Sequence, residues 1–153
     1  MTKPTLAQSE AMALLENAID LKDAQGVEGS LISIWSTGLN PAMCGALTTL
    51  VEAPWHRRHE DVVRAIQQLQ CASAVPALER AALAAHDYLN YDAFFGLARK
   101  CTWALADIGT PEARSALERL AQSSNPQVAA YAGKRLDRWQ DELARKSERS
   151  HGL

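Results

Sequence analysis

Two segments of the chain resemble each other at a fixed spacing, and this internal repeat constrains the fold more than any other feature. Residues 62–82, VVRAIQQLQCASAVPALERAA, align with residues 101–121, CTWALADIGTPEARSALERLA, at an offset of 39. The alignment places one ALER sequence, at 77–80, on another at 116–119. A period of this length is typical of helical solenoids, in which each helix pair buries its apolar face against the next pair.

The rest of the sequence also favours helices. No stretch alternates apolar and polar residues with the period of two expected of a half-buried strand, and helix-forming residues dominate. Thr110-Pro111 and Asn125-Pro126 each offer a capping side chain followed by proline at the first helical position. The sequence therefore predicts an all-α fold. The predicted helices are 6–24, 30–37, 41–52, 58–70, 74–85, 92–108, 111–122 and 126–145, with longer loops at 25–30 and 86–91.

Length and cysteine content indicate the class of protein. A chain of 153 residues fits one domain. Its start lacks the features of a secretory signal, and no apolar run approaches the roughly 18 residues of a membrane span. Cys44, Cys71 and Cys101 are far apart and flanked by small or apolar residues, which predicts reduced cysteines packed into helices. We therefore expect a cytoplasmic protein with no membrane partner.

Charge is nearly balanced overall but unevenly distributed. The chain has 16 basic and 18 acidic residues. Residues 1–56 carry six acids and two bases, whereas residues 57–153 carry twelve acids and fourteen bases, with the basic excess mostly at 134–149. Phosphate neutralisation dominates nucleic-acid affinity, so a net charge of −2 disfavours a nucleic-acid partner. An acidic N-terminal portion is suited to a basic partner, although solvated helix faces give the same bias.

The segment WHRRHED, 55–61, allows three interpretations. His56, His59 and Glu60 share one face of a helix and suit a metal, but a further ligand would have to come from elsewhere, and His86 is the only other inner histidine. We therefore expect no metal site. The two carboxylates also fit the first turn of a helix. A helix start explains the two carboxylates but not the histidine pair beside a tryptophan. The histidine pair and the tryptophan together favour a partner-binding surface.

A second cluster, HDYLNYDAFFGLARK at 86–100, contains four of the nine aromatic residues. Aromatic side chains beside charges are typical of binding hot spots. The same residues can instead form a small core for a long loop. We expect Tyr88 and Tyr91 to be exposed and one of Phe94 and Phe95 to be buried.

Several segments resemble a known group of repeat proteins. CTWALADIGTPEARSALERLAQSSNPQVAAYAGKRL is similar to the HEAT-like repeat of bacterial solenoids. WHRRHEDVVRAIQQL, DYLNYDAFFGLARKCTWALADIGTPEA and YAGKRLDRW resemble small bacterial HEAT-repeat proteins found beside polymorphic or secreted toxins, where they act as immunity proteins. The resemblance covers about 55–139. It implies one domain, a right-handed α-solenoid of about three HEAT-like helix pairs at 41–140, with an N-terminal helical cap at 1–40 and a charged tail at 141–153.

The resemblance also implies a function. It suggests a non-catalytic module that binds a protein partner, a cognate toxin, and needs no cofactor; it further suggests Asp92 and Arg99 as a structural ladder between repeats. The sequence has none of the common nucleotide-binding, hydrolase or redox motifs. A general scaffold and a HEAT-like DNA glycosylase remain alternatives. The candidate partner contacts are Trp55, His56, His59, Glu60, Arg64, Asp87, Tyr88, Tyr91 and Trp103.

Overall fold

The structure is all-helical, as the sequence predicted. The computed structural model describes residues 3–89 and 95–151, with side chains as far as Lys146. The described residues form nine α-helices and no strand, joined by turns that include three short 3₁₀ segments. The helices are α1 Leu6–Asp20, α2 Ala24–Thr37, α3 Cys44–Glu52, α4 His59–Leu69, α5 Val75–Leu83, α6 Gly96–Ile108, α7 Pro111–Leu120, α8 Pro126–Asp137 and α9 Trp139–His151.

The helices pack around one hydrophobic core. Helices adjacent in the chain contact each other as α1 with α2, α3 with α4, α5 with α6, and α7 with α8. Alternate helices are also in contact: α3 with α5 and α5 with α7, then α4 with α6 and α6 with α8. Each of the helices α3 to α8 therefore contacts at least two others, and the largest buried side chains come from most of the helices. They include Leu15, Ile34, Leu50, Ile66, Leu78, Leu105 and Leu117.

The predicted caps are confirmed. The Thr110 hydroxyl accepts a hydrogen bond from the Ala113 backbone N–H at 3.1 Å, and α7 begins at Pro111. The Asn125 side chain accepts from two backbone N–H groups at the start of α8. Gly109 ends α6 with a φ of +69°, a left-handed conformation that glycine adopts without strain.

Two predicted boundaries are wrong, each because of a local interaction. The predicted loop at 25–30 lies inside α2, because the Asp23 carboxylate accepts from the Gly26 N–H and starts a new helix there. The predicted helix 126–145 is broken at Arg138, because the next residue, Trp139, turns into the protein and is only 6% exposed. Beyond this break α9 continues as helix to His151, through the residues that we predicted to be a charged tail.

The repeated ALER sequences have a structural role. Arg80 of the first donates two hydrogen bonds to Glu52 on α3, at 2.5 and 2.9 Å. Arg119 of the second donates two to Glu79 on α5, at 2.8 and 2.7 Å. The arginine at the last position of each ALER sequence therefore joins its own helix to the preceding odd-numbered helix. Of the ladder implied by the resemblance, Asp92 lies outside the described residues.

The cysteine prediction is wrong for two of the three residues. Cys44, at the start of α3, and Cys71, after α4, form a disulfide with Cα atoms 5.8 Å apart. Residues 27 positions apart in the chain meet because α3 and the turn after α4 pack together. Cys101 is a free, buried thiol, as predicted, and burial raises its pKa to about 12. Across the described ranges, none of the helices has both the length and the apolar character of a membrane span.

Candidate functional site

Three histidines stack on one another where α3 ends, α4 begins and α5 ends. The rings of His56 and His59 lie 4.0 Å apart, and those of His59 and His86 lie 3.9 Å apart, both pairs nearly parallel. His56 and His59 are 1% and 0% exposed. The prediction that these two side chains face a partner is therefore not supported by their position. They lie beneath the surface, where they support the residues above them.

His56 is hydrogen-bonded at both ring nitrogens. Its Nδ1 accepts from the Arg58 backbone N–H at 3.0 Å, so Nε2 carries the proton and donates to the Leu50 carbonyl at 2.6 Å. The carbonyl belongs to the last turn of α3, where backbone acceptors have no partner within the helix. The ring thus holds the chain between α3 and α4 in place in its neutral form.

His59 has the same arrangement with a different donor. Its Nε2 donates to the Ala53 carbonyl at 2.6 Å, and its Nδ1 accepts from the Tyr88 hydroxyl at 2.6 Å. The same hydroxyl accepts from the His59 backbone N–H at 3.1 Å. The Tyr88 hydroxyl therefore bonds both the backbone N–H and the ring Nδ1 of His59 at the start of α4. These two bonds make Tyr88 a residue that positions His59. It is half-buried, although we predicted it to be exposed.

Burial keeps this cluster uncharged. Desolvation lowers the pKa of His59 from 6.5 to about 4 and also lowers the pKa values of His56 and His86. Desolvation raises the pKa of Tyr88. The Nε2 atom of His86 is buried without a hydrogen-bond partner among the described residues, which further disfavours a charged ring. At neutral pH the stack is a set of neutral rings. Since both nitrogens of His56 and His59 already bind protein groups, a metal would have to displace those bonds.

A surface pocket opens above the histidine stack. We call it the Trp55 pocket; its volume is about 330 Å³. Trp55 is half-buried, packs against the core and meets the edge of His56 with ring centroids 5.5 Å apart, while Asp87 is exposed. The structure thus brings together four predicted contacts from the two sequence clusters. The pocket is lined by Pro54, Trp55, His56, Arg57, Ala85, His86, Asp87 and Tyr88.

Glu60 and Arg64 lie on α4 and contact neighbouring helices. The Glu60 carboxylate lies 3.6 Å from the Lys100 ammonium on α6. The Arg64 guanidinium lies over the Trp35 ring of α2, 4.9 Å from its centroid. Both acids of WHRRHED fall in the first turn of α4, as predicted for a helix start.

Trp103, on α6, is stacked against a buried arginine of α8. The Arg135 guanidinium lies 3.6 Å from the Trp103 ring centroid and donates to Glu142 of α9 at 2.8 Å. Arg135 is 4% exposed, whereas Trp103 is 37% exposed. The sequence offset aligns Arg64 with Trp103, and each of these positions takes part in an arginine–tryptophan stack with an adjacent even-numbered helix. We call these two stacks, Arg64 on Trp35 and Arg135 on Trp103, the Arg–Trp face.

Six of the nine predicted contacts belong to these two regions. Trp55, His56, Asp87 and Tyr88 line the Trp55 pocket, and Arg64 and Trp103 belong to the Arg–Trp face, whereas His59 and Glu60 belong to neither. Tyr91 lies outside the described residues. Sequence reasoning missed Trp35 and Arg135, because it could not tell which helices would be neighbours.

Asp107 connects α6 to α4. Its carboxylate accepts from the Gln67 side chain at 2.6 Å, and its backbone carbonyl accepts from Gln70 at 2.8 Å. The Lys146 ammonium of α9 donates to the carbonyls of Ala106 and Asp107 at the end of α6. Asp107 is thus a structural residue that holds helices together.

Comparison of the chain with family models, curated proteins and solved structures finds no match.

Proposed function

We propose that the protein is a HEAT-like α-solenoid that acts as a non-catalytic protein-binding module and neutralises a cognate bacterial toxin by covering it. The helix contacts support the solenoid. Contacts between chain neighbours and between alternate helices are those expected when helix pairs stack in sequence. In this arrangement α1 and α2 form the cap, and α3/α4, α5/α6 and α7/α8 form three pairs.

The Arg–Trp face is the observation that carries the binding proposal. Arginine and tryptophan are the residues most enriched in interface hot spots, where they combine large contact area with fixed hydrogen-bond donors. Here each tryptophan is stacked with an arginine at distances of 4.9 and 3.6 Å, so the side chains are already ordered before a partner binds. Ordering in advance reduces the entropy lost on association. A solenoid presents such rows of side chains to partners along one face.

The Trp55 pocket is a second contact region in this proposal. Its aromatic and acidic side chains stand on the neutral histidine stack, which fixes the chain at the start of α4. We expect Trp55 to enter or border an apolar depression on the partner, with Asp87 at the rim. The toxin as partner rests on the resemblance of residues 55–139 to immunity proteins. Covering a toxin's active site requires affinity and no chemistry.

The experiment is co-expression of this protein with the product of the adjacent open reading frame. The proposal predicts that the neighbour is toxic alone and that growth is restored by the wild-type protein. Trp103→Ala should weaken the complex by at least about 2 kcal/mol if this position is a hot spot. Leu83→Ala is the matched control, because Leu83 is a 59% exposed apolar residue of α5, away from the Arg–Trp face.

Three outcomes separate the alternatives. Rescue that is lost with Trp103→Ala and kept with Leu83→Ala supports the proposal. Rescue that both variants retain places the interface elsewhere and refutes the role of the Arg–Trp face. A harmless neighbour that does not co-purify refutes the toxin and leaves a general scaffold.

A further inference from the structure

An open groove runs beside Trp103, between α6, α8 and α9. Two adjoining hollows of about 330 Å³ each share Trp103, Lys134 and Arg135 in their lining. Trp103 supplies the exposed apolar surface. We call this region the Trp103 groove. It includes Trp103 and Arg135 of the Arg–Trp face and shares no lining residue with the Trp55 pocket.

The charged residues of the Trp103 groove are mostly basic. Its lining contains six bases and two acids. Both acids already have partners within the fold: Glu142 accepts from Arg135, and the Asp107 carboxylate accepts from Gln67 and lies 3.9 Å from the Lys146 ammonium. These contacts account for two of the bases and hold α9 against α6 and α8.

Four cations of the groove are left over. Arg99, Lys134, Arg138 and Arg145 are exposed and form no ion pair with any residue in the described part of the chain. They contrast with the other arginines near helix contacts, such as Arg80 and Arg119, which are paired with glutamates. The groove thus places several like charges around one tryptophan, and like charges repel one another.

The buried Arg135 guanidinium is affected by charges of both signs. Burial is the main cause that lowers its pKa; Glu142 and Asp107 raise it, and the nearby Arg138 and Arg99 cations lower it. The exposed cations are therefore the groups of the groove that an incoming anion would meet.

We propose that the Trp103 groove binds an acidic segment of the partner protein, with an aliphatic or aromatic side chain on Trp103 and carboxylates against Lys134, Arg138, Arg99 and Arg145. This inference rests on the proposed function in taking the partner to be a protein. Arginine pairs with carboxylate through parallel hydrogen bonds, and a tryptophan beside it supplies apolar contact.

The size and charge of the groove favour an acidic segment over a nucleic acid. Proteins that hold a DNA duplex commonly make about 6–10 phosphate contacts, whereas the described residues of the groove offer four cations without an ion-pair partner. A chain with a net charge of −2 offers little positive field beyond the groove itself.

The test uses the whole chain and three labelled probes, with fluorescence anisotropy at low ionic strength. The probes are a short peptide rich in glutamate and leucine, the same peptide with glutamine in place of glutamate, and a DNA duplex. We expect the acidic peptide to bind, the glutamine peptide to bind far more weakly, and added salt to weaken the complex. Lys134→Glu combined with Arg138→Glu should weaken acidic-peptide binding by roughly tenfold or more, since it reverses two charges at the contact.

Matched variants keep the result interpretable. Lys3→Glu combined with Lys22→Glu changes the net charge equally at the N-terminal end of the chain and should leave binding unchanged. Arg145→Glu changes one charge of the groove, on α9, and should also weaken binding of the acidic peptide. It provides the test if the double variant folds poorly. Equal binding of the two peptides, equal binding by the groove and control variants, or tighter binding of the duplex than of the acidic peptide would each overturn the proposal.

Failure of this inference can be told from failure of the proposed function. If the groove variants restore growth in co-expression as well as wild type and the acidic peptide does not bind, the groove proposal fails while the toxin proposal stands. If the peptide binds in the groove and the neighbouring gene product is harmless, the groove proposal stands for another protein partner.

Discussion

Acid should destabilise this protein through the histidine stack, and His59 sets the size of the effect. Its pKa falls from 6.5 in an unfolded chain to about 4 in the folded protein because the ring is buried. The unfolded state therefore takes up a proton at a higher pH than the folded state does. Stability from this residue is complete above about pH 6.5 and is lost progressively as the pH falls to about 4.

The magnitude follows from the same two values. A pKa that falls from 6.5 to about 4 on folding corresponds to roughly 3 kcal/mol of unfolding free energy at neutral pH. The pKa values of His56 and His86 are also lowered, so they add to the slope in the same direction. For a chain of this size, with a typical unfolding free energy of about 5–15 kcal/mol, the loss is large.

Urea unfolding followed by circular dichroism across this pH range measures the effect, with His59→Asn as the matched variant. The variant should be less stable at neutral pH, because it loses the hydrogen bonds to Ala53 and Tyr88 as well as the stacking on His56 and His86. Its unfolding free energy should depend much less on pH than that of wild type. The same pH dependence in both proteins, or a His59 ring signal in NMR spectra that titrates near pH 6.5, would refute the assignment.

Three further outcomes are expected. Tyr88→Phe should lower the unfolding free energy by about 1–3 kcal/mol, because the backbone N–H and Nδ1 of His59 both lose their partner; an unchanged urea midpoint would contradict this. Reduction of the Cys44–Cys71 disulfide should cost roughly 3–4 kcal/mol from the loop that it closes, while Cys101 should stay unreactive to alkylation until the protein unfolds; two reactive thiols in the untreated, folded protein would contradict the pairing. Trp55→Ala should weaken partner binding by at least about 2 kcal/mol, measured by calorimetry, and near-wild-type affinity would remove the Trp55 pocket from the interface.

The disulfide also bears on where the protein works. Disulfides persist mainly in oxidising compartments, whereas we expected a cytoplasmic protein with reduced cysteines. Intact mass measured without reductant on protein from its native host distinguishes the two. An oxidised Cys44–Cys71 pair would argue against the cytoplasm, and fully reduced protein would agree with it.

The helices and their caps were predictable because their signals are local. Thr110 and Asn125 each precede a proline, and each side chain bonds to backbone N–H groups within three residues. The break at Arg138 was missed because helix-forming residues continue on both sides of it. It depends on burial of Trp139, which is set by the packing of α9 on the other helices.

The long-range features were not predictable from local pattern. Nothing in the sequence around Cys44 or Cys71 indicates that packing brings them within bonding distance. His56 and His59 looked like surface residues because they lie among charges, but each ring faces a carbonyl at the end of α3. The 39-residue offset did place Arg64 and Trp103 at equivalent positions, and it is the one sequence signal that anticipated the Arg–Trp face.

The central claim is that a protein partner binds along the even-numbered helices, which carry the Arg–Trp face and part of the Trp103 groove. Amide hydrogen exchange of the free protein and of its complex with the adjacent gene product tests this most directly. The account predicts new protection on α2, α4, α6 and α8 in a complex of one copy each, with little change on α3, α5 and α7. Protection confined to α3, α5 and α7, or an unchanged pattern in the presence of the neighbour, would contradict it.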